Sequence, residues 1–469
     1  MNTCRASGPH VPASTSHGRA LPFSAVLLGV CCLLSAASSQ WLETTAYLSD
    51  SLGNPVAPQV LGYDAVDDRV YVGCDSGVLV LSGATNQRLA RVLPGSHVSA
   101  LCYNPRNNKV YVASSHVDSV SVVDGASNTV AATIPVGRWT AIFCYNPQDN
   151  KVYCVNNWDS TVAVIDGAGD SVVANVPAGY TPWAMCYNSQ NNKVYVASYE
   201  RHHVTVIDGA TDKVLATLHV GSHPSDLCYN SQDNKVYCAA AMDANVTVID
   251  GATEQVVATV KPGLGPYALC YNPQNDKVYV ANGHDATVTV IDGAGDSVVA
   301  TVPVGDSAQS LCYNSRNNKV YCANSRSDNV TVIDGATNAV VVTIAVGSAP
   351  ADFAWNPAEN RVYVANRLDF SVSILRDSMP DAVEENANLK TSSLAHAGTI
   401  VRGALFLPEA ANLKPQAASL LDISGRKVLD LKPGANDVRA LAPGVYFVRS
   451  EPSAVSRQPL AVTKVVLTR

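Results

Sequence analysis

A chain of 469 residues has room for two or three domains. Its 32 Lys and Arg against 39 Asp and Glu give a net charge of −7, without the basic stripe a nucleic-acid scaffold would carry. Hydrophobic residues make up 47%, enough for a large core. In chain order, residues 1–40 read as a signal peptide. Arg5 and Arg19 supply positive charge, Leu21–Leu34 is an apolar run, and Ser35-Ala36-Ala37-Ser38 offers small residues for cleavage. That run is short for a bilayer span, and no other segment reads as membrane-crossing.

A repeat follows. The Tyr of a Val-Tyr-Val or Val-Tyr-Cys core recurs at 71, 111, 153, 195, 237, 279, 321 and 363, with one step of 40 and six of 42. Several short strands per unit at this period are the signature of a β-propeller. In the unit at 141–176, Ile142–Tyr145, Lys151–Val155, Thr161–Ile165 and Ser171–Val176 are Val-, Ile- and Tyr-rich runs, here strands A to D. Asn146-Pro147-Gln148-Asp149-Asn150 makes a tight A–B turn, and Asp166-Gly167 opens the C–D turn. No helical period competes. The eighth unit stops after Ser371–Leu375, while an orphan strand, Glu43–Leu48, precedes the first. Closure of the last blade by that strand predicts an all-β, eight-bladed propeller over residues 41–376, in preference to a seven-bladed one.

Tyr279-Val280-Ala281-Asn282, the run Val-Thr-Val-Ile-Asp-Gly at 288–293 and Val-Val-Ala-Thr-Val at 298–302 resemble the YVTN-type propeller repeats of surface-layer proteins. The likeness covers roughly residues 43–376 and implies an extracellular, mostly non-enzymatic propeller.

Ten cysteines fall in the propeller. Cys102, Cys144, Cys186, Cys228, Cys270 and Cys312 share one strand-A position, and Cys154, Cys238 and Cys322 occupy strand B of alternate blades. Candidate disulfides are Cys144–Cys154, Cys228–Cys238 and Cys312–Cys322. The competing reading, which we prefer, is that Cys fills a small slot in a crowded inner strand. No Cys-x-x-Cys or Cys-His metal spacing occurs, and we expect no metal and no cofactor.

Residues 377–398 lose the repeat and read as a linker. Residues 399–469 return to β, with runs at Thr399–Leu407, Ala418–Asp422, Lys427–Leu431, Gly444–Arg449 and Val462–Thr468, the pattern of a small Ig-like sandwich. Asp422-Ile423-Ser424-Gly425-Arg426-Lys427-Val428, Pro443-Gly444-Val445-Tyr446-Phe447-Val448-Arg449 and the terminal Lys464-Val465-Val466-Leu467 resemble the C-terminal sorting domain of type IX secretion cargo. That resemblance implies export across an outer membrane of a bacterium, secretion machinery as a partner, and a secreted or cell-surface address. Related Ig-like modules serve as stalks.

The A–B and C–D turns barely change between units, whereas the D–A and B–C loops change every time. Alternating strand direction puts the two sets on opposite faces, one uniform and one variable, and binding residues concentrate on loops of a rigid scaffold. The variable face offers His97, Arg138, Trp139, Tyr180, Trp183, His223 and Tyr267 from D–A loops. Its B–C loops add His116, Trp158, Tyr199, Arg201, His202, His203, His284, Arg326 and Arg367. Trp139, Trp158, Tyr180, Trp183, Tyr199 and Arg201 are the candidate ligand-binding residues for glycan or protein, against the alternative that the aromatics merely cover the blades beneath them. Asp124, Asp166, Asp208, Asp250, Asp292 and Asp334 look like a carboxylate ring, but each precedes Gly in a turn and reads as a turn cap. No catalytic constellation stands out, so we expect a binding or envelope scaffold and not an enzyme. The rivals are a lactonase-like or quinone-dependent propeller enzyme, disfavoured by the constancy of Leu-Cys-Tyr-Asn in the inner strands, and a purely structural repeat.

Overall fold

The computed structural model describes residues 40–93, 97–115 and 117–377, and beyond them strands between Thr399 and Leu467. The signal-peptide reading of the first 39 residues, the linker at 378–398 and His116 lie outside the described residues.

Eight four-stranded antiparallel sheets follow one another along the chain. Blade 1 has strands A to D at Pro58–Asp64, Arg69–Cys74, Gly77–Ser82 and Arg88–Val92. Blade 8 takes A, B and C from Pro350–Asn356, Arg361–Asn366 and Ser371–Asp377, and its D strand from Gln40–Tyr47 at the other end of the propeller sequence. The expected closure is therefore made, with Tyr47 opposite Ser371 and Gln40 opposite Asp377. The seam is longer than the sequence suggested. Gln40, assigned to the signal peptide, and Asp377, assigned to the linker, are its terminal pair, joined by a 2.8 Å hydrogen bond from Gln40 Nε2 to Asp377 Oδ1. Glu43 adds a two-pronged ion pair with Arg361 at 2.6 and 2.7 Å.

Strands B and C are buried on both sides because each blade is covered by two neighbours. Their sequences accordingly read as continuous apolar runs and not as alternation. Between blades 4 and 5, for example, Tyr195, Val204 and Val206 pack on Leu227, Val236, Cys238 and Ile249. Each such aliphatic side chain contributes about 1.5–3 kcal/mol by leaving water. The recurring Tyr, at most 1% exposed in all eight blades, is the largest fully buried side chain of the blades.

All ten cysteines among the described residues are free. Register explains why the three candidate bridges are not made. Cys144 lies opposite Tyr153 and Cys154 opposite Phe143, so the two sulfurs leave opposite faces of one sheet. Cys144 packs in the seam with blade 4 and Cys154 in the seam with blade 2. Cys228 with Cys238, and Cys312 with Cys322, repeat that register. Burial pushes the thiols up, Cys102 and Cys312 to about 12.

The second unit carries a five-stranded sheet and a two-stranded one. The run expected at Thr399–Leu407 is two strands, Thr399–Val401 and Ala404–Leu407, which join different sheets. The partner of the latter, Gly434–Asp437, was not expected. Ala418–Leu421, Lys427–Leu431, Gly444–Ser450 and Val462–Leu467 stand close to their predicted places.

Candidate functional site

The constant residues of the uniform face lock the blades together. The last residue of strand A donates across seven of the eight seams to a turn residue of the next blade. Asn104 reaches Asn150, Asn146 reaches Asn192, Asn188 reaches Asn234, and Asn230 reaches Asp276. Asn272, Asn314 and Asn356 reach Asn318, Asn360 and Asp68 in the same way, all at 2.7–2.9 Å. The acceptors have φ near +50°, where Asn and Asp are tolerated, and this is why the A–B turns hardly vary. Lys151 and Lys235, first in strand B, bind Asp212 and Asp296 of the following blade at 2.9 Å, and Tyr153 and Tyr237 end on the same two carboxylates. The supposed carboxylate ring is made of turn caps. Asp208 Oδ1, for instance, accepts from Thr211 N and Oγ1 at 2.7 and 2.8 Å.

The variable face is built differently. In blades 3, 5, 6 and 7 one contact ties the D–A loop to the B–C loop. Arg138 N donates to Asp159 Oδ2 at 2.6 Å, Ser222 N to Asp243 at 2.7 Å, Leu264 N to Asp285 at 2.5 Å, and Asp306 N to the Ser327 hydroxyl at 2.8 Å. These bonds hold the Asp159 and Asp243 carboxyls below the usual range. On this frame the expected aromatics divide into two groups. In blade 3, Trp139 and Trp158 meet with ring centroids 4.9 Å apart, beside a 2.8 Å ion pair between Arg138 Nε and Asp159 Oδ1. A groove of about 290 Å³ is lined by Asp159 and by residues including Thr161 and Asn175, though by neither Trp. In blades 4 and 5, Trp183 contacts Tyr199 at 5.9 Å, Tyr199 stacks on His223 at 4.4 Å, and His223 meets His202 edge-on at 5.4 Å. Trp158, Tyr180 and Trp183 are 59%, 56% and 45% exposed.

Some placements differ from the sequence reading. Trp183 and Tyr267 belong to strand A and His203 to strand C, not to loops. Trp183 sits where the A–B register slips between Pro182 and Ala184, and the bulge turns it outward. His203 is packed against Gly179, where a Cβ would lie 2.3 Å from its Nε2. His202 Nδ1 accepts the His223 amide at 3.2 Å. The pair is thus part of the loop structure, and among the described residues no group of three His, Cys, Asp or Glu could hold a metal ion. Tyr267 and His284 form a third contact through a 2.8 Å hydrogen bond.

The inner strands are also less uniform than expected. Leu-Cys-Tyr-Asn occupies only their lower half. The upper half, toward the variable face, reads Pro-Trp-Ala in blade 4, Pro-Ser-Asp in blade 5, Pro-Tyr-Ala in blade 6 and Pro-Ala-Asp in blade 8. Asp226 and Asp352 therefore stand on the innermost strands where the other blades carry uncharged residues, Ser310 in blade 7 and apolar ones elsewhere. Asp226 Oδ2 caps the amide of Leu269 in blade 6, and Asp352 Oδ2 that of Leu61 in blade 1, both at 2.8 Å. Burial among the blades pushes both carboxyls up to about 6. Sequence comparison between units could have found them, since no other unit has a charge there.

The fold and loop architecture define an eight-bladed β-propeller with one locked and one diversified face. A protein-family profile described as a YNCE-like beta-propeller matches residues 185–402, from blade 4 onward. No curated protein matches the chain. A solved structure titled "Kuenenia stuttgartiensis Hydrazine Synthase" is similar, with a TM-score of 0.51 and 16% identity. The match covers 60% of this chain and 96% of that one, and at such identity it speaks for the fold alone.

Proposed function

We propose that this propeller is an exported, cell-surface or secreted binding scaffold that engages a glycan or protein through its variable face. One observation carries the reading. The repeated polar residues of the uniform face are spent on inter-blade bonds, while Trp139, Trp158, Tyr180, Trp183 and Tyr199 are grouped in two adjoining units of the opposite face. Exposed aromatic pairs on a rigid frame supply contact area at little entropic cost. The apolar run before the first blade and the terminal motifs of the second unit support export. No helix among the described residues is long and apolar enough to cross a membrane.

Binding should be measured on an array of surface glycans and envelope proteins. We expect Trp158→Ala and Trp183→Ala to lose it and Gln274→Ala, on an exposed turn of the uniform face, to keep it. Equal retention by all three would remove the reading. Cell fractionation tests the sorting part. Removing the last ten residues should leave the protein in the periplasm, and normal export of that truncation would make the second unit a stalk.

The second reading is an enzyme of the periplasm or surface, supported by Asp226 and Asp352 on the inner strands. A turnover assay on lactones and alcohols with Asp226→Asn and Asp352→Asn would favour it if activity is present and falls in both.

A further inference from the structure

We propose that blade 4 carries a binding site for a carboxylate-bearing sugar, formed where the repeat's own carboxylate latch is missing. This deepens the reading that the variable face binds ligand and rests on it.

Blade 3 shows the complete arrangement. The Asp159 carboxylate takes the Arg138 amide on one oxygen and the Arg138 guanidinium on the other. Blades 5 and 6 keep the carboxylate as Asp243 and Asp285, and blade 7 replaces it with the Ser327 hydroxyl. In blade 4 the corresponding residue is Arg201, 42 positions after Asp159. The corresponding amide is that of Tyr180. Among the described residues it has no acceptor, and the exposed Arg201 side chain has no partner. The two loops that in blade 3 carry amide, guanidinium and carboxylate thus carry in blade 4 an amide and a guanidinium, and neither of the two positions supplies a carboxylate. A planar carboxylate suits that pair because guanidinium and amide can each take one oxygen.

The surroundings say what should be attached to the carboxylate. Tyr180 and Trp183 are exposed beside the gap, and Trp183 meets Tyr199, itself stacked on His223. These rings can take the apolar face of a pyranose while its carboxylate enters the latch. The loop is held in shape from below. Gly179 has φ +79°, and the His203 ring fills the space a side chain would need. A hexuronate is the smallest ligand with both parts.

The probes are trigalacturonate, its methyl ester and galactose 6-phosphate, read by tryptophan fluorescence and by hydrogen exchange at the Tyr180 amide. We expect the acid to bind at least tenfold tighter than the ester, with affinity falling as salt rises. Arg201→Asp restores the repeat's latch without touching an aromatic. It should weaken the acid at least tenfold, leave the melting temperature unchanged or higher, and protect the Tyr180 amide in the free protein. In the unaltered protein that amide should exchange freely until the acid is added. Equal binding of acid and ester, both lost in Trp183→Ala, would overturn the latch and leave the binding face standing. Failure of acid and ester alike to bind, tighter binding of the phosphate, or protection of Tyr180 before ligand is added would also overturn it.

Discussion

Seven of the eight seams are closed by an Asn side chain that donates to the next blade, and the seam between blades 1 and 2 is not. There the strand A terminus is Asp64, 0% exposed, whose Oδ2 has no hydrogen-bond partner. Its Oδ1 already accepts the Val66 and Asp67 amides, the same task that Asn146 Oδ1 performs for Gln148 and Asp149. Asn108, the residue that should accept, is in place with φ +53° and receives the Tyr103 hydroxyl at 3.1 Å. Asp64→Asn should therefore supply the eighth donor with no rearrangement. A buried polar atom left unpaired costs about 1–3 kcal/mol, and a completed bond contributes about 0.5–1.5 kcal/mol, so we expect a gain of about 1–3 kcal/mol. At roughly 2.1 cal/mol/K per residue over the propeller, this is a rise of about 1.5–4 °C in melting temperature. Urea titration at pH 7.5 of a propeller ending after Asp377 measures it, with Asn104→Asp as the mirror-image control that should lose a similar amount. A midpoint that is unchanged or lowered by Asp64→Asn would refute the idea that the seam lacks only a donor.

Three further outcomes follow from the same contacts. Asp226 and Asp352 have folded-state pKa values raised to about 6, so the folded protein binds these protons more tightly than the unfolded chain, and stability should fall as pH rises from about 4 to 6. Urea midpoints at pH 4.5 and 7.5 should show that fall, of order 1–3 kcal/mol per group, reduced in the Asp226→Asn, Asp352→Asn double variant; parallel pH profiles would count against it. Arg361, 6% exposed on its side chain, binds Glu43 of the closing strand and the Gly83 and Ala84 carbonyls of blade 1, and Arg361→Ala should cost about 3–5 kcal/mol by denaturant titration. Thiol titration of residues 40–377 under denaturing, non-reducing conditions should find ten free cysteines, and six fewer would restore the three intra-blade bridges.

Much of the fold was legible because its determinants are local. The Tyr period, the four apolar runs and the Asp-Gly and Asn-Pro turns identify blades one at a time, and the orphan strand before the first unit, matched to the missing D strand of the eighth, shows how they close. The Asp caps of the C–D turns were readable for the same reason, since donor and acceptor lie within three residues. The site was less so. Tyr199 and His223 come from different blades, and their stacking depends on how two loops lean over one seam. Trp183 reads as a loop residue in the sequence because a one-residue bulge inside strand A leaves no mark on its composition. Asp226 and Asp352 lie in the half of strand A that varies between units, and nothing local shows that each caps an amide of the next blade.

By itself the sequence determined the number of blades, the order of strands and the division into a uniform and a variable face, since these follow from period, turn chemistry and strand alternation along the chain. Only the tertiary structure decided which cysteines face each other, which aromatics meet, and which amide is left without its carboxylate. Those outcomes depend on register between strands and on contacts across seams, where residues of neighbouring blades are brought together by closure of the ring and not by their distance along the chain.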